Sequence, residues 1–286
     1  MTSPDPLKDT KPPEPTEPPK PSGVLWKRVL SSMLLIPPPI IATWFGGPAF
    51  AILISLAAAA MVFEWSRMVT GKNTSPVLYS LAAGGAAAMI FAVGGWFGVA
   101  IAFSIAASIA AAIAARLTAS RVMSGAFGAI YILIPCIALI WLRNDVENGR
   151  ELVFSLFGIV WMADIGAYAA GRFFGGPRIS RALSPAKTWS GVVGGIAMGG
   201  VAGAIALRWI YGDGAAQMYA GIGAGLGLAS VLGDLAESAL KRNFGVKDSS
   251  SLIPGHGGVL DRLDGMIFAT SAMTLAIFLH MMIARG

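Results

Sequence analysis

Charge, histidine and cysteine are all scarce in this chain, and each scarcity excludes something. Only 13% of the 286 residues are charged and 55% are hydrophobic, with a mean hydropathy of +0.69. That balance excludes a water-soluble domain and requires a bilayer. The single cysteine, Cys136, lies in an apolar run, which excludes a disulfide framework and a Cys-based zinc site and leaves a packing role. The formal net charge of +6 does not point to nucleic acid, because the basic residues are scattered between apolar segments and form no stripe interleaved with aromatics. Residues 1–22 hold almost no large apolar side chain beyond Met1 and Leu7, and eight prolines. Such a segment cannot repay the cost of ordering, so a disordered cytoplasmic tail is expected, and its acidic, proline-rich start does not read as a signal peptide.

What is abundant is long apolar sequence. A hydrocarbon core about 30 Å thick needs about 20 helical residues. Nine candidate spans follow from residue 25 onward, at approximately 27–46, 48–66, 77–95, 97–115, 124–142, 152–172, 190–210, 216–238 and 264–284. The expected fold is an all-α, polytopic membrane protein of about nine helices, several broken by Gly or Pro, with one transmembrane catalytic domain over residues 23–286. Pro37, Pro38 and Pro39 should kink or interrupt the first span. Glycine pairs and the period-two run Gly221, Gly223, Gly225, Gly227 permit close helix approach where apolar burial no longer drives association. No internal repeat is detectable.

Basic residues give the orientation. With the N-terminus inside, the inner side receives Lys27, Arg28, Arg67, Lys72, Arg116, Arg121, Arg172, Arg178, Arg181, Lys187, Lys241, Arg242, Lys247 and Arg262. Only Arg143, Arg150, Arg208 and Arg285 fall outside.

The exception to the apolar pattern is residues 233–265, GDLAESALKRNFGVKDSSSLIPGHGGVLDRLDG. Asp234, Glu237 and Lys241 are spaced i, i+3, i+7 and share a helix face. Pro254, Gly255, Gly257 and Gly258 break regular structure, and Asp261 and Asp264 open the last apolar segment. Two acidic clusters thus flank a basic, glycine-rich loop. Carboxylates hold a hard cation, while Lys, Arg and loop amides neutralise phosphate oxygens, so a nucleoside triphosphate fits. A charged loop obeying the positive-inside rule would explain the same composition. Asp164 lies inside the sixth span, where an ionised side chain is costly and usually functional.

From Ser238 to Asp264 the pattern S-x-L-K-R-x4-K-D-x-S-x2-I-P-x-H-G-G-V-x-D-R-L-D resembles, position for position, the signature of the phosphatidate cytidylyltransferases, or CDP-diacylglycerol synthases. Residues 164–176, DIGAYAAGRFFGG, resemble that family's intramembrane aspartate segment, and residues 184–191, SPAKTWSG, its S-P-x-K-T-x-x-G element. The chain departs from the family at Ser190, commonly acidic, and at Ala186, often lysine. The resemblance implies an enzyme that joins CTP to phosphatidic acid with a divalent metal, giving CDP-diacylglycerol and pyrophosphate. It also implies a bacterial inner (plasma) membrane and admits a homodimer, and from the placement of basic residues the site is expected to face the cytoplasm.

On this reading Asp234 and Asp261 are the expected ligands of Mg2+ or another hard cation such as Mn2+, with Glu237 and Asp264 as further or alternative ligands. Lys241, Lys247, Arg242, Arg262 and Lys187 are expected phosphate contacts, joined by Ser184 and Thr188. Gly257 and Gly258 let the backbone approach the triphosphate. His256 donates to a phosphate or braces the loop, and Asp164 acts directly or by orienting a lysine or a metal-bound water. A CTP-dependent lipid-alcohol kinase of the dolichol or phytol kind is the nearest alternative. A transporter is the non-enzyme one, supported by broken helices and by Asp164.

Overall fold

The computed structural model describes residues 33, 35–180, 184–213, 215–253 and 257–285. The expected tail, 1–22, lies outside them, as do Arg181 and His256. Nine helices are present among the described residues: α1 (Pro37–Phe45), α2 (Gly47–Thr70), α3 (Pro76–Val93), α4 (Phe97–Leu117), α5 (Val122–Asn144), α6 (Gly149–Phe174), α7 (Trp189–Tyr211), α8 (Ala216–Asn243) and α9 (Leu260–Arg285). A short antiparallel hairpin, β1 (Arg178–Ser180) and β2 (Ser184–Thr188), joins α6 to α7.

Eight of the helices, α2 to α9, are long and apolar enough to cross a bilayer. α1 has nine residues, too few to cross by itself. Its start at Pro37 shows how the proline run acts: Pro is tolerated in a first helical turn and cannot accept a helix continuing into it. Of the rest of the expected first span, Met33 and Leu35 are helical, while residues 27–32 and 34 lie outside the described residues. Elsewhere the boundaries follow local chemistry. Ser75 caps α3 by accepting from the Leu78 amide at 3.1 Å. Thr188 caps α7 by accepting from the Gly191 amide at 3.2 Å, and Gly71 closes α2 at φ 69°.

Two packed groups make the bundle. In the first, Trp65 of α2 is fully buried against Phe127 and Tyr131 of α5 and Phe244 beyond α8, and its indole donates to the Ser124 carbonyl at 2.9 Å. In the second, α6, α7 and α8 approach through small residues. A Cβ on Gly203 would lie 2.5 Å from Gly223 Cα, and one on Gly223 would lie 2.3 Å from the Gly199 carbonyl. The period-two glycine run therefore divides by face: Gly223 and Gly227 meet α7, while Gly221 and Gly225 have nothing within 4 Å.

Long-range bonds fix which helix ends share a side. Arg121, at the start of α5, donates to the Asn243 carbonyl at 2.5 Å and lies over the Phe244 ring. The beginning of α5 and the end of α8 are therefore together. At the opposite end of α5, Arg143 donates to the Thr43 carbonyl at 2.6 Å and Asn144 accepts from the Gly47 amide at 3.0 Å. Most of the described basic residues cluster with the first side, the one expected from the sequence to be cytoplasmic. A reporter inserted near Ser250 is expected to be cytoplasmic and one fused after Arg285 external. Both in one compartment would contradict this orientation.

Candidate active site

The site is built where α6, α8 and α9 converge beneath the β1–β2 hairpin. Sequence dictates that convergence: a Cβ on Gly233 would lie 2.4 Å from the Asp264 carbonyl, so only glycine lets α8 and α9 touch beside Asp234 and Asp264. The hairpin is held down by the Trp189 amide donating to the Pro177 carbonyl at 3.1 Å, and by Ser190, whose hydroxyl donates to the Gly175 carbonyl. Ser190 also meets the Thr188 hydroxyl at 2.9 Å. A serine at this position of departure thus has a local structural function, while Ser184 faces Ser180 at the far end of the strand pair.

The charged groups form two levels. The more accessible is Lys187 of β2 with Asp234 of α8, an ion pair of 2.7 Å in which the aspartate side chain is 44% exposed. Ser238, one turn on, lies 3.5 Å from the same ammonium. Beneath it, Lys241 reaches Asp261 of α9 at 2.5 Å and Glu237 at 3.1 Å, with side-chain exposures of 13%, 6% and 0%. Glu237 and Lys241 therefore do lie on one helix face, one turn apart. Neither oxygen of the buried Glu237 has a well-aligned hydrogen-bond donor among the described residues; the Lys241 ammonium at 3.1 Å and the Asp264 carboxyl are the polar groups that face it. Asp264 is electrostatic neighbour to both Glu237 and Asp234.

Asp261 is held on both of its oxygens. Oδ1 accepts from Lys241, while Oδ2 accepts from the Ser249 amide and hydroxyl, both at 2.9 Å, and from the Gly258 amide at 2.8 Å. It caps the turn that enters α9 and aims Lys241. Asp164 of α6 is exposed, and the charges acting on it are Asp234, Lys187 and Arg262. Two of these, Asp234 and Arg262, lie within residues 233–265, and Lys187 lies in the 184–191 element.

The structure gathers Asp164, Lys187, Asp234, Glu237, Lys241, Asp261, Arg262 and Asp264 into one region. Others stand apart. Lys247 is exposed in the loop after α8, and Arg242 is exposed with its guanidinium 3.4 Å from the Val246 carbonyl. Thr188 caps α7. Gly257 takes φ 84° and bridges back to Ile253, a conformation that favours glycine. Gly258 is required for space: a Cβ there would lie 2.0 Å from the Ser249 hydroxyl and 2.5 Å from Glu64 Oε1.

That last contact exposes what sequence reasoning missed. Glu64 of α2 is completely buried, and its oxygens accept from Ser249, Ser250, Val259 and Leu260. The signal was present, since an acid inside an apolar span is as conspicuous at position 64 as at 164. What the sequence could not give was its partner.

Gly258→Ala is expected to cost about 1–3 kcal/mol through overpacking. The detergent-solubilised protein should melt at lower temperature, and an unchanged melting point would contradict the packing described.

Comparison with known proteins gives the family. The cytidylyltransferase family profile matches residues 26–281. The chain is 33% identical over 258 residues to the phosphatidate cytidylyltransferase of Brucella suis biovar 1, covering 89% of this chain and 94% of that one. It is 30% identical over 250 residues to the same-named protein of Rickettsia bellii, covering 85% and 86%. With that of Synechocystis sp. it shares 48% identity over 128 residues, 44% of this chain and 42% of the relative. Carrying the paired lysines and carboxylates on a profile match that spans nearly its whole length, the chain belongs to the cytidylyltransferase family.

Proposed function

We infer that this integral membrane protein transfers the cytidylyl group of CTP to phosphatidate. The observation that carries the reading is the stacked arrangement Lys187–Asp234 above Lys241–Asp261, set between helices at the side where the basic residues cluster. Family membership and the names of the relatives support it.

The chemistry follows from the substrates. A phosphate monoester has a second pKa near 6, so phosphatidate is a dianion at neutral pH and needs no strong base. One of its oxygens forms a bond to the α-phosphorus of CTP, the bond from that phosphorus to the β-bridging oxygen breaks, and pyrophosphate leaves with its electron pair. Charge balances, with no proton consumed. The obstacle is repulsion between two anions, so the protein contributes positioning and neutralisation. Lys187, accessible on the hairpin, is placed to meet phosphate oxygens. Lys241 is held below it by Asp261, with Arg262 near Asp164.

A hard divalent cation fits the donor chemistry. Glu237 carries oxygens without aligned donors, and Asp234 is accessible. Among the described residues no three acidic, histidine or cysteine side chains converge into a closed cage. Magnesium suits such a site because it is usually held by one or two carboxylates together with substrate phosphates. Asp234 and Asp261, with Glu237 and Asp264, are the residues to hold it, and the ion would neutralise charge on the triphosphate. The face of the membrane that carries the site is the cytoplasmic one, where CTP is found.

Purified protein given phosphatidate and CTP labelled at the α-phosphate should place the label in lipid, while γ-label should leave as pyrophosphate. A lipid-alcohol kinase would transfer γ-label to an added polyprenol instead, and that result would overturn the reading. Asp234→Asn should lower turnover by roughly 100-fold or more, the scale of losing one pre-organised electrostatic contact.

A further inference from the structure

Glu64 lies on the second helix, far in sequence from every motif, yet its carboxylate is fully buried and faces four donors. Oε1 takes the Ser250 hydroxyl at 2.6 Å and the Val259 amide at 2.9 Å. Oε2 takes the Leu260 amide at 2.8 Å and the Ser249 hydroxyl at 3.2 Å. Val259 and Leu260 lie at the N-terminus of α9, where amides have no intrahelical partner and the helix dipole favours an anion. Ser249 and Ser250 belong to the other end of the same loop. One carboxylate therefore ties residues 249 and 250, within the segment between α8 and α9, to residues 259 and 260 at the start of α9.

We propose that Glu64 is a positioning residue for the transfer reaction: it fixes the 249–260 loop and, through Ser249, the Asp261–Lys241 pair. The link is direct. Ser249 is within hydrogen-bond distance of Glu64 at one side and of Asp261 Oδ2 at the other, and Asp261 Oδ1 holds Lys241. Neighbouring packing sets the depth of the clamp. Trp65 is buried and bonded to the Ser124 carbonyl, and Gly258 leaves the space Glu64 fills. The inference concerning turnover rests on the cytidylyl-transfer reading, whereas the clamp itself does not.

Glu64→Gln is the sharpest test. One amide oxygen can replace one carboxylate oxygen, but the –NH2 group must face one backbone amide, which can only donate, and one serine hydroxyl, which must turn to accept; at least one amide bond is lost and the charge is removed with almost no change in volume. Two measurements are needed on the full chain in detergent. Hydrogen–deuterium exchange should rise in peptides covering 249–260 and stay at wild-type levels in peptides from α3, α4 and α7. With CTP and phosphatidate, kcat should fall roughly 100-fold, the scale of a small misplacement of catalytic groups. The KM for CTP should move by less than about threefold, since the accessible Lys187–Asp234 level is untouched.

Unchanged exchange in 249–260 overturns the clamp, and exchange raised throughout the bundle makes Glu64 a residue of the fold and overturns positioning. Looser exchange in the loop with wild-type kcat overturns the link to Lys241. If wild-type protein makes no CDP-lipid, the functional reading fails while the exchange result still decides the clamp. Should Glu64→Gln not fold, Ser250→Ala removes one donor only; it must show the same localised exchange at smaller size, and its absence counts against the proposal.

Discussion

A buried carboxylate must be satisfied or neutralised, and three of them decide how this protein is built around its reactive region. Asp261 does both, accepting three bonds on one oxygen and Lys241 on the other. Glu64 is satisfied by uncharged donors, the Ser250 hydroxyl and the Val259 and Leu260 amides, with the single proton of the Ser249 hydroxyl shared between it and Asp261. Glu237, fully buried, meets the Lys241 ammonium at 3.1 Å. Removing one partner from such a group costs more than the bond itself was worth, because the remaining group stays buried and unpaired. The loop between α8 and α9 is therefore tied to α2 on one side and to α8 on the other.

This dependence explains the glycine content. Polar groups can be placed so tightly inside a bilayer only if the helices carrying them approach closely, and apolar side chains would prevent it. Gly233 lets α8 meet α9 at the level of Asp234 and Asp264, while Gly203 and Gly223 allow α7 and α8 to touch. The β1–β2 hairpin completes the arrangement from outside the bundle. It delivers Lys187 to Asp234 on a short strand pair anchored by Ser190 and the Thr188 cap.

Hydropathy made most helices legible, and the differences have local reasons. α8 runs to Asn243, beyond the expected end near 238, because its last turn pairs Lys241 with Glu237 and stays helical despite its charge. α9 begins at Leu260, which puts Asp261 in its first turn, where an acid is favoured. The hairpin was not foreseen, since three residues of strand carry too little pattern to read. In the site, Asp234, Glu237 and Lys241 were legible because helix spacing alone puts them together. The bonds from Glu64 to Leu260 and to Ser249 span 196 and 185 residues of sequence, and no periodicity encodes a pairing of that length.

The central claim is that these lysine–carboxylate pairs position two anions for direct attack and supply no covalent intermediate. The stereochemical course at phosphorus tests it most directly. With CTP carrying a single chiral sulfur at the α-phosphate, one in-line displacement by the lipid phosphate inverts the configuration in the CDP-lipid product. Inversion is the result this account predicts. Retention would mean two displacements through a cytidylylated residue of the protein, and would contradict it.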